Sequence, residues 1–107
     1  MTSWNVYLVR CRDGSLYCGI ATSVARRIAE HNAGRGAKYV AAARRPVACV
    51  WKRRMTGHGD ALRLEYWVKR LPVTEKRRLA EGLAAVRRNR DGGWAIRGKP
   101  FKPSVSP

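Results

Sequence analysis

Residues 4–11, WNVYLVRC, are rich in β-forming side chains and stop at Asp13-Gly14; SLYCGI, residues 15–20, follows at once. Two short apolar runs around a turn dipeptide predict a β-hairpin. The loop length decides which side chains share a face, because strand residues alternate between faces. If Asp13-Gly14 is a two-residue turn, Tyr7 and Tyr17 point to opposite sides. If the loop is Arg12-Asp13-Gly14, with Gly14 in the left-handed region, Tyr7 stands opposite Gly19, Val9 opposite Tyr17, and the phenols share a face. Asp-Gly alone slightly favours the shorter turn. The longer one sorts the hairpin more cleanly, leaving Val6, Leu8, Leu16, Cys18 and Ile20 as an apolar face and open space at Gly19 beside Tyr7.

Further along, TSVARRIAEHNAG, residues 22–34, has Thr22 or Ser23 to cap a helix, Val24 and Ile28 as its apolar stripe, and Gly34 to end it. A basic, glycine-bearing loop, GRGAKY, comes next. Pro46 precedes a third strand over residues 47–51, VACVW. Asp60 is placed to cap a second helix, ALRLEYWVKRL, with Leu64, Val68 and Leu71 on one face and Pro72 as its stop. Thr74 is placed to cap a third, striped by Leu79, Leu83 and Val86. From Arg87 the pattern dissolves into a basic segment with prolines and glycines, expected to be a loosely ordered tail. The chain therefore divides into a domain over 1–86 and a tail over 87–107. The order ββαβαα predicts an α/β (α+β) fold, one small sheet covered by helices.

Charge changes this picture most. The 107 residues include 23 lysines and arginines against 7 acids, a formal net charge of +16. Such an excess points to a polyanionic partner. No apolar run approaches the length of a membrane span, and no apolar segment follows a charged start, so the expected compartment is the cytoplasm. That leaves nucleic acid as the leading partner, DNA first and RNA as the alternative. Three cysteines, Cys11, Cys18 and Cys49, sit in strand-like segments without metal-ligand spacing and are expected to be reduced. A carboxylate metal ligand must be drawn from Asp13, Glu30, Asp60, Glu65, Glu75, Glu81 and Asp91.

Arg27 and His31 lie four apart on the first helix, so their side chains meet on one face. A guanidinium there can hold phosphate oxygens with its planar fork; the plain alternatives are a solvated basic face and a histidine that merely favours the helix C-terminus. Arg26 is expected to face solvent. Glu65 has Ala61 and Val68 as apolar neighbours, and Lys69 at plus four offers an ordinary surface ion pair.

Asn5-Val6-Tyr7, then Tyr17-Cys18-Gly19, then Arg27 and Glu30-His31-Asn32 on a helix, with Glu65 later, resemble the GIY-YIG nuclease family, and "YCGIATSVARRIAEHNAGRGAKY" its small single-domain bacterial, YhbQ-like group. The likeness spans roughly residues 3 to 71. It implies a three-stranded antiparallel sheet flanked by helices and a divalent-metal-dependent endonuclease that hydrolyses phosphodiester bonds, a reaction class that includes DNA repair. It assigns Tyr7, Tyr17, Arg27 and His31 to catalysis and Glu65 to a magnesium or manganese ion, which suits a single carboxylate completed by water and phosphate oxygens. Tyr7 would take a proton from water, with cations lowering its phenol value, and Tyr17 would position the water or phosphate; the reverse assignment stays open. Arg26, Arg35, Lys38 and Tyr39 are the candidates for gripping the nucleic-acid backbone. Asn5 and Cys18 depart from the motif glycine and isoleucine. Ile20 stands where some relatives carry a lysine, whose role would pass to another cation such as Lys38, and the asparagine that several relatives carry after the glutamate is missing. With no separate recognition domain, specificity would come from nucleic-acid shape, from loops or from a protein partner.

Overall fold

The computed structural model describes residues 3–37 and 40–98. The first two strands, β1 (Trp4–Arg10) and β2 (Leu16–Ala21), form the expected hairpin. Its loop is the longer one: Tyr7 faces Gly19, Val9 faces Tyr17, and Gly14 adopts φ 85°. The Gly14 N–H donates to the Cys11 carbonyl at 2.9 Å, and Asp13 accepts from the Ser15 N–H at 3.0 Å. A left-handed residue at the third loop position needs glycine, and the aspartate side chain closes the turn.

Helix α1 (Val24–Asn32) is capped by Ser23, whose hydroxyl accepts from the Arg26 N–H at 3.3 Å. Gly34, at φ 82°, ends it, and the Arg35 N–H folds back onto the Glu30 carbonyl at 2.8 Å. Asn32 then acts like a piece of strand. Its amide donates to the Val47 carbonyl at 3.2 Å, and its oxygen accepts from the Val47 N–H at 2.8 Å. This pins the end of α1 to the entry of β3 (Ala48–Met55), which runs four residues past the predicted strand, through Lys52, Arg53 and Arg54. The sheet order is β2-β1-β3, all antiparallel, with a register shift opposite Leu8 and Val9.

Helix α2 (His58–Lys69) starts before the predicted Asp60 cap, at Gly57, whose carbonyl accepts from the Ala61 N–H at 3.1 Å. Asp60 is instead engaged by two arginines, Arg63 at 2.7 Å and Arg88 at 3.3 Å. Helix α3 (Val73–Ala80) begins directly after Pro72, without a side-chain cap from Thr74. It stops well short of Val86 because Gly82 takes φ 75° and turns the chain. Leu83 is left exposed, and Val86 is buried in a strand.

The segment from Arg87 departs from the expected loose tail as far as residue 98. Strands β4 (Ala84–Arg88) and β5 (Trp94–Gly98) form a second hairpin. Its loop, Arg90-Asp91-Gly92, repeats the tripeptide of the first, with Gly92 at φ 87° and Asp91 accepting from the Gly93 N–H at 2.8 Å. The observed order is thus ββαβααββ, an α/β fold with a three-stranded antiparallel sheet and three helices, to which a two-stranded ribbon is added.

Both sheet faces are covered. Val6, Leu8 and Cys18 pack with Ala61, Leu64 and Val68 of α2, with Leu79 of α3 and with Ala84 and Val86 of β4. Tyr7, Val9 and Cys11 pack with Val24, Val40 and Val47 on the other face. Burial of these apolar side chains is the main favourable contribution to the fold. Leu64→Ala, at a position with no solvent exposure, is expected to cost about 2–5 kcal/mol in urea denaturation; Leu62→Ala, exposed on the same helix, is expected to change stability by no more than about 0.5 kcal/mol.

Candidate active site

Tyr7 stands in the centre of the sheet and is 1% exposed. Its ring lies along the surface of β2, and the place where a side chain would start at Gly19 is taken by the phenol: a Cβ there would meet Tyr7 Oη at 2.6 Å and the Tyr17 ring at 3.2 Å. The space left by Gly19 is therefore filled by the hydroxyl of Tyr7.

That hydroxyl is hydrogen-bonded to His31 Nε2 at 2.9 Å. His31 is fully buried on α1, one turn beyond Arg27. Its other nitrogen, Nδ1, accepts from the Ala37 N–H at 3.3 Å. A neutral ring that accepts at Nδ1 carries its proton on Nε2. His31 therefore donates to the Tyr7 oxygen. The loop that supplies the Ala37 N–H lies tight against the ring, since a Cβ at Gly36 would run into Nδ1 and sit 2.8 Å from the His31 Cα. Burial holds His31 below its ordinary value, and the Arg27 charge pushes the same way. It stays neutral at neutral pH.

Arg27 is the nearby cation. Its guanidinium is bound by Glu30 at 3.0 Å, and its charge acts on the Tyr7 phenol. The Tyr17 ring meets the His31 ring edge-on, with centroids 5.5 Å apart. Tyr7, Tyr17, Arg27 and His31 are thus gathered on one sheet face. Tyr7 itself is pushed up to about 12, first by burial and then by the neighbouring Tyr17, against the pull of Arg27. The lowered phenol value that a cation-rich site was expected to give is not produced by the protein's own groups, because desolvation outweighs one guanidinium.

Beside this cluster, Trp4, Ile20, Ser23, Arg26, Arg27 and Glu30 line an open cleft of about 210 Å³. Arg26 is largely exposed and reaches Glu30 at 3.6 Å. Arg35 is exposed just after α1. Lys38 and Tyr39 lie outside the described residues. The work of Glu30 in aiming Arg27, and that of the Gly36–Ala37 backbone in holding His31, were not predicted. The spacing of Arg27 and Glu30, three apart on a helix, carried the first signal; the second was carried only by Gly36 in the loop after the helix.

Glu65 comes from α2, on the opposite sheet face from the phenols. Its carboxylate is held by Lys69 at 3.2 Å and is mostly buried. It bears on the Cys18 thiol, which burial and then the Glu65 charge push up to about 12. Cys18 lies between Tyr17 and Gly19 in β2, the edge strand. Glu65 and the Tyr7 hydroxyl thus approach one strip of that strand from its two faces. Among the described residues no three histidine, cysteine or carboxylate side chains gather as a metal site. A divalent ion would have to rest on a single carboxylate with water and phosphate oxygens, a donor set that fits magnesium or manganese and not zinc.

Residues 3–78 match the family model described as the GIY-YIG catalytic domain. A UPF0213 protein of Vibrio cholerae is 45% identical over 84 residues, covering 78% of this chain and 82% of the relative. Another, from Staphylococcus haemolyticus, is 43% identical over 81 residues, covering 76% and 98%. A protein of E. faecalis solved by solution NMR superposes with a TM-score of 0.52 at 34% identity, over 77% of this chain and 86% of that one.

Gly19→Ala is expected to displace the Tyr7 hydroxyl from His31 at a cost of about 1–3 kcal/mol, as overpacking does. Chemical denaturation reads the cost, and the ¹⁵N shift of His31 Nε2 reads the broken bond. Gly57→Ala, where a Cβ meets nothing within 4 Å, is expected to leave that resonance unchanged.

Proposed function

The chain belongs to the GIY-YIG catalytic-domain family, and from the geometry of its site we propose that it is a divalent-metal-dependent endonuclease that hydrolyses phosphodiester bonds in DNA. The observation that carries this is the buried phenol oxygen of Tyr7, hydrogen-bonded to His31 and lying in the field of the Arg27 guanidinium. A packing tyrosine needs only one partner for its hydroxyl. A donor on the oxygen and a cation beside it favour its deprotonated form once the proton is drawn off.

In this reading Tyr7 takes the proton of the attacking water. His31 is the donor that stabilises the phenolate and does not itself receive that proton, because Nε2 is already protonated and Nδ1 is occupied by the Ala37 N–H. Arg27, steadied by Glu30, binds a phosphate oxygen and balances charge as it develops. Tyr17 orients the water or the phosphate. Glu65 would hold magnesium or manganese, whose charge would lower the barrier to forming the phenolate and neutralise the scissile phosphate. Arg26 and Arg35, with Lys38 and Tyr39, would grip the backbone. Nuclease action in DNA repair, in the cytoplasm, and with a protein partner supplying specificity, is the setting this implies. No helix among the described residues is long and apolar enough to cross a membrane.

A second reading, a nucleic-acid-binding module without catalysis, has two observations in its favour. Burial pushes Tyr7 up to about 12, and Glu65 is engaged by Lys69 from the other sheet face.

Labelled single- and double-stranded DNA, incubated with magnesium, manganese or EDTA, separates the two. Cleavage is expected with either metal and none with EDTA. Binding without metal-dependent cleavage of any substrate leaves only the second reading. Glu65→Ala is expected to abolish cutting while sparing binding, and Arg27→Ala to lower cutting by about 10²-fold or more, the usual weight of a phosphate-stabilising donor; wild-type turnover in either variant removes that residue's assignment.

The pH dependence follows from the raised value of Tyr7. Its phenolate fraction grows about tenfold per pH unit below its titration point, so log(kcat/KM) is expected to climb with a slope near 1 through neutral pH. The lowered value of His31 adds no acid limb there. A flat profile, or a Tyr7→Phe variant that keeps the slope, excludes Tyr7 as the base.

A further inference from the structure

The second hairpin lies outside the family match, which ends at residue 78, so the site chemistry does not explain it. Residues 84–98 carry four arginines against one aspartate. One face of the ribbon is turned inward. Val86 and Ala84 are buried there, and Arg53 Nη1 donates to the Val86 carbonyl at 2.6 Å, tying β4 to β3. The Arg53 and Arg88 guanidinium groups lie over the Trp94 ring, at 5.3 and 4.9 Å from its centroid. The other face pairs Ala85 with Arg97 and Arg87 with Ala95 across the strands. Arg87, Arg90 and Arg97 are exposed. Two small alanines between projecting arginines give a flat basic surface on which a phosphate backbone can lie close.

The ribbon is also held at a particular end of the molecule. Trp4, opposite Met55 at the end of β3, lines the cleft beside Arg27. Its ring stacks on His58, with centroids 4.3 Å apart, at the start of α2. Two residues on, Asp60 is bound by Arg63 at 2.7 Å and by Arg88 at 3.3 Å. Arg88 leads straight into the Arg90-Asp91-Gly92 turn. A chain of contacts therefore joins the cleft to the ribbon, and the turn stands at the cleft's end of the protein. The first hairpin's turn, with Arg10 and Arg12, stands at the far end.

We propose that the β4–β5 ribbon is a second nucleic-acid-binding surface, with Arg87, Arg90 and Arg97 contacting the phosphates of a strand that continues out of the cleft. It deepens the nuclease reading, but it concerns binding, which is measured apart from cleavage. An anionic membrane is the weaker match, because the exposed face offers arginine and alanine and no large apolar side chain to insert.

Counterion release makes the surface testable, since each phosphate contact adds about 0.9 to the slope of log affinity against log salt. The full-length triple variant R87Q/R90Q/R97Q is compared with the wild type and with R10Q/R12Q/R77Q, which removes the same charge at the far end, where Arg77 lines a pocket with Gly14 and Ser15. Binding to a labelled duplex of about 30 base pairs in EDTA, at salt from about 50 to 200 mM, is expected to weaken at least tenfold in the ribbon variant, with a slope shallower by about 2 to 3. The far-end variant is expected to keep most of the wild-type slope. Thermal melts of both variants check that the fold is kept. Equal losses in the two variants would mean only that net charge matters, and would overturn the proposal. So would an unchanged ribbon variant, or one that loses binding to anionic phospholipid vesicles while holding the duplex as well as the wild type. Absence of cleavage by the wild type, with the ribbon effect intact, rejects the nuclease reading and keeps the surface.

Discussion

The hydrogen bond between Tyr7 and His31, 2.9 Å long and closed to solvent, ties the middle of the sheet to the end of α1, and most of the site's architecture is a condition for making it. A buried phenol and a buried imidazole each carry polar atoms that cost free energy when unpaired. Here they satisfy each other, and the loop after α1 satisfies the remaining nitrogen through the Ala37 N–H. Two glycines make room. Gly19 lets the phenol cross β2, and Gly36 lets the loop close on the imidazole. The three-residue turn at Arg12-Asp13-Gly14 matters for the same reason, since the other register would turn Tyr17 to the opposite face of β2.

The scarce acids show how a chain of such high positive charge stays folded and still offers charge to a partner. Asp13, Glu30, Asp60, Glu65 and Glu75 each hold a basic side chain. Most of these pairs lie near the surface, and each contributes little to stability. Their value lies in aim. Glu30 directs Arg27 toward the phenol, Asp13 holds Arg44 near the first turn, and Asp60 fixes the β4–β5 ribbon to α2 through Arg88. With only 7 acids for 23 lysines and arginines, most basic side chains have no acid to pair with. The surplus that destabilises the isolated chain by self-repulsion is what a polyanion would relieve.

Glu65 and Tyr7 meet β2 from its two faces. That placement gives the edge strand a double duty. Its backbone separates a carboxylate paired with lysine from a phenol bonded to histidine. An edge strand has one side free of a neighbouring strand, and groups of both layers border that side. A central strand would shut them off from each other.

Much of this was readable in the sequence. Alternation fixed the apolar face of Val6, Leu8 and Cys18, and helical spacing set Arg27 one turn before His31. The spacing of tyrosine, tyrosine, arginine and histidine identified the family, and Gly14, Gly34 and Pro72 marked turns where they occur. These are local properties, written in residues close along the chain. Local signals misled where tertiary contacts overrode them or a basic stretch masked them. Gly82 ended α3 before Leu83, and the second Arg-Asp-Gly turn was lost in a basic stretch. Asp60 was drawn from capping into a salt bridge with Arg88, 28 residues away. Other features had no local trace at all. Which nitrogen of His31 carries the proton, that Tyr7 titrates high and not low, and that Glu65 lies across the strand from the phenols all depend on burial and on groups brought together from distant segments. Sequence determines which side chains alternate and which turns can form; desolvation and cross-chain contact exist only once the layers have packed, and they decided the electrostatics of the site.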